Sequence, residues 1–278
     1  MYITNIISAK NTVSVKLQCI YDKLVWFYLC LNPNAINIIK TDLNKAVWYA
    51  LSQNHNAIEI LEQNKDNIIY EGLSKNKNAF HLLSQNKENI NWERFAKNTE
   101  PKAIELLEQN LHLLKNNFLG LCSNPNAVHI VEKHLDELTF WDWGELSANP
   151  NASHILKNNK YKNKINHGML SYNPNPEAIE FLINETYTKW PGFSANPNAI
   201  HLFEKSIDNV NFDLLSQNPN AIPILNKYPE KINWFYASYN KNILHIDSFK
   251  KNIHKINYSN LSSNLNINNI INEIIKYS

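Results

Sequence analysis

One asparagine sets the register of this 278-residue chain and restricts what it can fold into. Asn32, Asn54, Asn76, Asn98, Asn124, Asn149, Asn173, Asn196, Asn218, Asn240 and Asn264 follow one another at spacings of 22, 22, 22, 26, 25, 24, 23, 22, 22 and 24 residues. Self-similarity at such a period marks a stacked-repeat architecture, in which no unit buries its apolar face alone.

The positions around each anchor carry the local structure. Six before it stands a ring: Trp26, Trp48, Tyr70, Trp92, Phe118, Trp143, His167, Trp190, Phe212, Trp234 and Tyr258. Three before it is Leu or Phe, with Ala237 the exception, and two before it is Ser, Cys or Ala throughout. A small residue at a fixed site predicts that two backbones approach closely there. A ring-to-Leu step of three is helical, whereas a leucine-rich-repeat horseshoe alternates its apolar residues before a stacked Asn. The site two after the anchor, apolar in such horseshoes, is Asn here in nearly every copy.

Two short helices per repeat follow from this pattern. With the anchor as N-cap and the next Pro as first helical residue, apolar residues at three, four, six and seven past the cap share one face. The spacing predicts a first helix of about nine or ten residues. It stops at an Asn such as Asn64, Asn86 or Asn110, where a left-handed helix end is expected. A second helix of about six residues precedes the next anchor. Its expected N-caps are Asn91, Asn117, Asp142, Asn166, Asn211, Asn233 and Asn257. Apolar Ile90, Ile165, Val210, Ile232 and Ile256 stand just before six-residue helices to form staples with the fixed Leu. Neither helix is long enough to stand alone in water.

The predicted fold is all-α, an α-solenoid of about eleven 22–26-residue repeats. Residues 1–21 are expected as an N-terminal cap and 22–278 as one repeat domain ending in a capping helix. Two residues are inserted before the Ala in the fourth and seventh copies, and the link from Glu132 to Trp143 is longer. Helix spacings of about 8–10 Å predict a curved rod with two ends, on the order of 100 Å long.

Chemistry-bearing patterns are sparse. The row five past the anchor holds Glu59, His81, Glu105, His129, His154, Glu180, His201 and His245. It lies opposite the apolar stripe and is the expected partner-facing row. A metal reading fails because zinc needs ligand nitrogens within about 2.1 Å of one ion, closer than adjacent repeats allow. The paired asparagines are read as caps, the rings as core rather than base-stacking platforms, and the recurrent Ser as no nucleophile, for want of a His or acid at fixed distance. There is no Gly-rich phosphate loop, H-E-x-x-H or calcium loop, so no catalytic residue, cofactor or metal is expected. Cys19, Cys30 and Cys122 form no C-x-x-C pair, which fits a reducing compartment. The formal net charge of +2 is low for a nucleic-acid binder. The densest basic stretch, Lys250, Lys251, His254 and Lys255, reads as a solvated helix surface. No apolar run is long enough to span a bilayer, and the first residues do not read as a secretion signal.

The segments LSQNPNAIPIL (Leu215 to Leu225), FSANPNAIHLFEK (Phe193 to Lys205) and LSANPNASHILKN (Leu146 to Asn158) carry a family resemblance. They resemble the Asn-Pro-Asn-Ala-Ile repeats of uncharacterised proteins encoded by mimivirus-like giant DNA viruses. The resemblance covers about residues 22 to 276 and is specific as a repeat signature. It implies an AT-rich viral genome and a place in the host cytoplasm or the virion, and it carries no activity with it. The function expected from the architecture is a non-enzymatic scaffold for protein–protein interaction, with host or virion proteins as partners and no membrane. Single-stranded RNA binding, one base per helical repeat, and a structural role in the virion are the alternatives.

Overall fold

The computed structural model describes residues 14–184, 191–203 and 207–277. Among these residues all regular structure is helical, with no strand. Trp190 lies outside them.

In the first and eighth repeats the anchor caps a 3₁₀ helix that starts at the following Pro, Pro33–Ala35 and Pro197–Leu202, as the sequence predicts, whereas most other repeats open with a turn. The anchor side chain accepts the N–H two residues on (Asn56 N to Asn54 Oδ1, 2.9 Å; Asn198 N to Asn196 Oδ1, 3.0 Å). Its carbonyl accepts the N–H of the Ala three on, as at Ala57 and Ala79. That Ala is fully buried and sits at φ −93°, ψ 9° in Ala57 and φ −97°, ψ 11° in Ala79, off the helical region. The α-helix therefore starts just after this Ala, three residues later than the sequence predicts, and is shorter: Ile36–Ile39, Ile58–Gln63, Phe80–Ser84, Val128–Val131, Ser153–Leu156 and Ile222–Lys227. Where two residues are inserted, the Pro clears the turn and opens the helix, giving Pro101–Glu108 and Pro176–Asn184.

The first helix does not end in a left-handed residue. Asn64 and Asn86 lie at φ −132° and −136°, and their side chains donate instead to the carbonyls of Ile60 and Leu82, both at 2.8 Å. Asn110 does the same to Leu106 at 2.7 Å. The amide satisfies an orphan last-turn carbonyl directly, so no positive φ is needed. A short 3₁₀ turn that the sequence pattern does not announce then follows, for example Lys65–Asn67, Lys87–Asn89 and Pro229–Lys231.

The second helix runs four to six residues in most copies, as in Trp26–Leu31, Trp48–Gln53, Tyr70–Leu73 and Phe212–Gln217. Asn91, Asn166, Asn211, Asn233 and Asn257 cap it with their side-chain oxygens. Asp142 does not. There the helix begins earlier, at Phe140–Ala148, with Thr139 as cap and Asp142 closing a capping box from the third helical position. Asn117 precedes the cap residue Phe118 and reaches only the Leu119 N–H, at 3.4 Å. Every residue three before an anchor is fully buried, from Leu29 to Leu261.

Repeats join through the anchors. Each anchor is at most 3% exposed, and its Nδ2 donates to two carbonyls of the preceding repeat, that of its anchor and that of the small residue two before it. The pattern continues through Asn264 at 2.8–3.2 Å. The small residue is where the backbones meet, because its carbonyl ends a helix and takes the neighbour's amide as a cap. Where it is Ser, its hydroxyl also accepts a backbone N–H from the next repeat: Ile69 to Ser52 (3.1 Å), Asn91 to Ser74, Asn166 to Ser147, Asn211 to Ser194, Asn233 to Ser216 (all 3.0 Å) and Asn257 to Ser238 (2.9 Å). Consecutive second helices also pack closely, and at three places only glycine fits. A Cβ on Gly72 would lie 2.5 Å from the Tyr49 carbonyl oxygen, one on Gly120 2.7 Å from the Ala96 Cβ, and one on Gly192 2.9 Å from the Ser171 carbonyl carbon.

The ladder has no free end. Asn32, in the first repeat, donates to Asn264 O (2.9 Å) and Ser262 O (3.0 Å) in the last. The Val25 N–H reaches Ser262 Oγ at 2.9 Å, Asn34 donates to Leu265 O at 2.7 Å, and Asn268 donates to Asn34 O at 2.8 Å. The final helix, Ile267–Tyr277, packs on the first repeat's Pro33–Ala35 turn instead of capping an exposed end. The rod with two ends is thus corrected: the eleven anchors form one closed cycle of donors. Along the cycle, most consecutive second helices pack directly on one another.

Candidate functional site

The repeated polar residues are consumed by the framework. Each anchor amide spends both hydrogens on the preceding repeat and its oxygen on its own turn, leaving nothing for a ligand. The asparagines two further on form a second ladder to the residue after the preceding anchor, for example Asn56 to Pro33 O (3.0 Å), Asn151 to Pro125 O (2.8 Å) and Asn220 to Pro197 O (3.0 Å). Ser74, Ser147, Ser216 and Ser238 accept across the junction and donate back to the carbonyl four residues earlier. Their hydroxyls are fully buried bridges, with no approach for a substrate.

The row five past the anchor is exposed at all eight positions, Glu59, His81, Glu105, His129, His154, Glu180, His201 and His245. Three of these side chains reach the preceding repeat. Glu59 pairs with Lys40 at 2.7 Å, His81 with Glu62 at 2.9 Å, and His154 with Glu132. The hydrogen bond and charge of Lys40 hold the Glu59 carboxyl below its ordinary range. The row thus carries one inter-repeat ion pair and two imidazole–carboxylate hydrogen bonds between repeats. Among the described residues no group of three or more His, Cys, Asp or Glu is placed to hold a metal ion. The rings six before the anchors are buried or half-buried wherever they are described, with Trp143 1% exposed.

What the repeat does not fix lies on the other face of the second helices, five, four and one before the anchor. In the third and fourth repeats this face is charged. Arg94 pairs with Glu71 at 3.4 Å, and desolvation, then Lys97 and Arg94, push the Lys75 ammonium down, which places three cations together. In the tenth and first repeats it is aromatic. Phe235 (48% exposed), Phe27 (39%), Tyr239 (38%) and Tyr28 (36%) stand open, and Phe27–Tyr28 and Phe235–Tyr236 are edge-on pairs at 5.5 and 5.3 Å. Partial burial raises the Tyr239 hydroxyl pKa, and Tyr28 and Tyr236 raise it further. Tyr28, 211 positions away in sequence, therefore faces Tyr239 only because the ladder closes. Phe140 (68%) and Trp141 (74%), at the long link, form a second exposed pair at 5.4 Å.

Sequence reasoning missed this aromatic sector because it looked for what recurs. A signal was present: Trp26-Phe27-Tyr28 and Trp234-Phe235-Tyr236 each place three rings in a row on a helix, and only the first can face the core. Among the described residues no helix is long and apolar enough to cross a membrane. No family model, no curated protein and no solved structure matches this chain.

Proposed function

We propose that the chain is an α-solenoid whose eleven repeats close on themselves, and that it is a non-enzymatic scaffold for protein–protein interaction. The observation that carries this reading is the exposed aromatic sector of Phe27, Tyr28, Phe235 and Tyr239, set on a framework whose repeated polar groups are already bonded to one another. Isolated exposed apolar side chains are ordinary, but clustered Tyr and Phe are the groups that dominate protein interfaces. A closed array holds them rigidly, so little ordering entropy is lost on docking. The formal net charge of +2 gives little of the phosphate attraction that nucleic-acid affinity needs. The resemblance to giant-virus repeats makes host or virion proteins the expected partners, in the host cytoplasm or the particle.

The test is affinity capture from cells in which the protein is naturally made, comparing the wild type with a Tyr28→Ala/Phe235→Ala variant, each with and without nuclease. A protein retained by the wild type, lost with the variant and indifferent to nuclease supports the scaffold. Retention that vanishes with nuclease favours single-stranded RNA instead. Identical retention by both forms removes the aromatic sector from the argument.

A further inference from the structure

The closure creates a cavity that none of the repeats contains. Helix 14–21, the turn Lys250–Lys255 and the final helix Ile267–Tyr277 line a half-open cavity of about 590 Å³. Lys16, Lys23, Lys250 and His254 line it together with Tyr258 and Tyr277, and among the described residues no carboxylate lines it. The Lys23 ammonium stands 5.2 Å from the Tyr258 ring centroid, and that of Lys250 stands 4.7 Å from the Tyr277 centroid. The basic stretch that reads in sequence as a solvated surface is thus folded against two lysines from the opposite end of the chain. Lysines that share one cavity wall give it a positive potential that favours an anion.

We propose that this cavity binds a phosphorylated small molecule of nucleotide size. The volume falls within the range of small-molecule sites, roughly 300–1,000 Å³. The ammonium groups supply point charges for phosphate oxygens, and the two tyrosine rings offer faces for a planar base. The phosphates supply most of the affinity, since the cations outnumber the rings. Because its walls come from both ends of the chain, a bound anion ties the first repeat to the last. This site is independent of the aromatic sector and of any protein partner.

The experiment titrates the full chain with inorganic triphosphate, with ATP and with adenosine, by calorimetry and by rate of alkylation at Cys19. Cys19 lines the cavity and is exposed, while Cys30 and Cys122 are buried and stay silent. Both phosphates are expected to bind, ATP more tightly, to slow Cys19 alkylation at least tenfold at saturation, and to raise the melting temperature in step with concentration. Adenosine is expected to do none of this. Lys23→Ser and Lys250→Ser should each weaken binding at least tenfold while leaving the far-ultraviolet circular dichroism of the empty protein unchanged. Absence of binding by either phosphate at about 1 mM, a concentration that still reads weak ligands, overturns the proposal. So does binding that is unaltered in both variants, or binding that leaves Cys19 alkylation unchanged.

Discussion

Replacing Asn32 with Ala tests the closure, with Asn218→Ala as its internal standard. Both side chains make the same three bonds. Asn218 donates to Ser194 O and Asn196 O, each at 3.0 Å, and accepts from Asn220 N at 3.0 Å. Asn32 donates to Ser262 O and Asn264 O and accepts from Asn34 N at 3.0 Å. The anchor carbonyls Asn196 O and Asn264 O keep a second donor, from Ala199 N and Ile267 N. The carbonyls of Ser194 and Ser262 sit at helix ends and lose their cap. A buried carbonyl stranded in this way costs about 1–3 kcal/mol, and each of the other two bonds about 1 kcal/mol. Each truncation should therefore cost roughly 3–5 kcal/mol, a large share of a typical stability of about 5–15 kcal/mol. If the array were open, Asn32 would have no preceding repeat, and its loss would remove only a turn cap, about 1 kcal/mol. Denaturant unfolding followed by far-ultraviolet circular dichroism separates the cases. Equal losses at the two sites are expected. A loss at Asn32 less than a third of that at Asn218 refutes the closed cycle.

Other outcomes follow from the same contacts. Gly72→Ala places a methyl carbon 2.5 Å from the Tyr49 carbonyl oxygen, so it should destabilise by about 1–3 kcal/mol through overpacking, despite the better helix propensity of Ala, and a lowered denaturation midpoint reads it. Asn218→Asp turns a carboxylate oxygen toward two carbonyl oxygens and should be worse than Asn218→Ala at neutral pH. That arrangement raises the folded-state pKa of the new carboxyl above its unfolded value of about 3.9. Its protonated form is the one the fold accepts, so stability should recover as pH falls from 7 toward 4 relative to wild type, and unfolding midpoints across that window check the sign. Burial raises the Cys30 and Cys122 thiol pKa values, helped at Cys122 by Asp142 and Glu145. A maleimide should therefore modify only Cys19 in the native protein and all three cysteines in denaturant, as mass spectrometry would count.

The sequence by itself determined the parts that depend on neighbours along the chain. The step of three from ring to Leu gave the second helix, and the caps at Asn91, Asn166, Asn211, Asn233 and Asn257 are where local hydrogen-bonding chemistry puts them. It also found the buried anchors, though only half of their bonding. The Oδ1 side serves the anchor's own turn, but the Nδ2 side serves another repeat, 22 to 28 residues away, which local reasoning does not see. The first helix came out too long for a related reason. A Pro after Asn suits a turn as well as a helix start, and the buried Ala, pressed into the neighbouring repeat, decides between them. Closure belongs wholly to the tertiary structure. The bend at each junction is set by how one repeat packs on the next, and a periodic sequence shows the period without the angle. Angles add over eleven junctions, so whether the array ends as a rod or meets itself turns on the angle at each. With that meeting came Tyr28 beside Tyr239, and Lys23 and Lys250 on the wall of one cavity, which no spacing along the chain foretells.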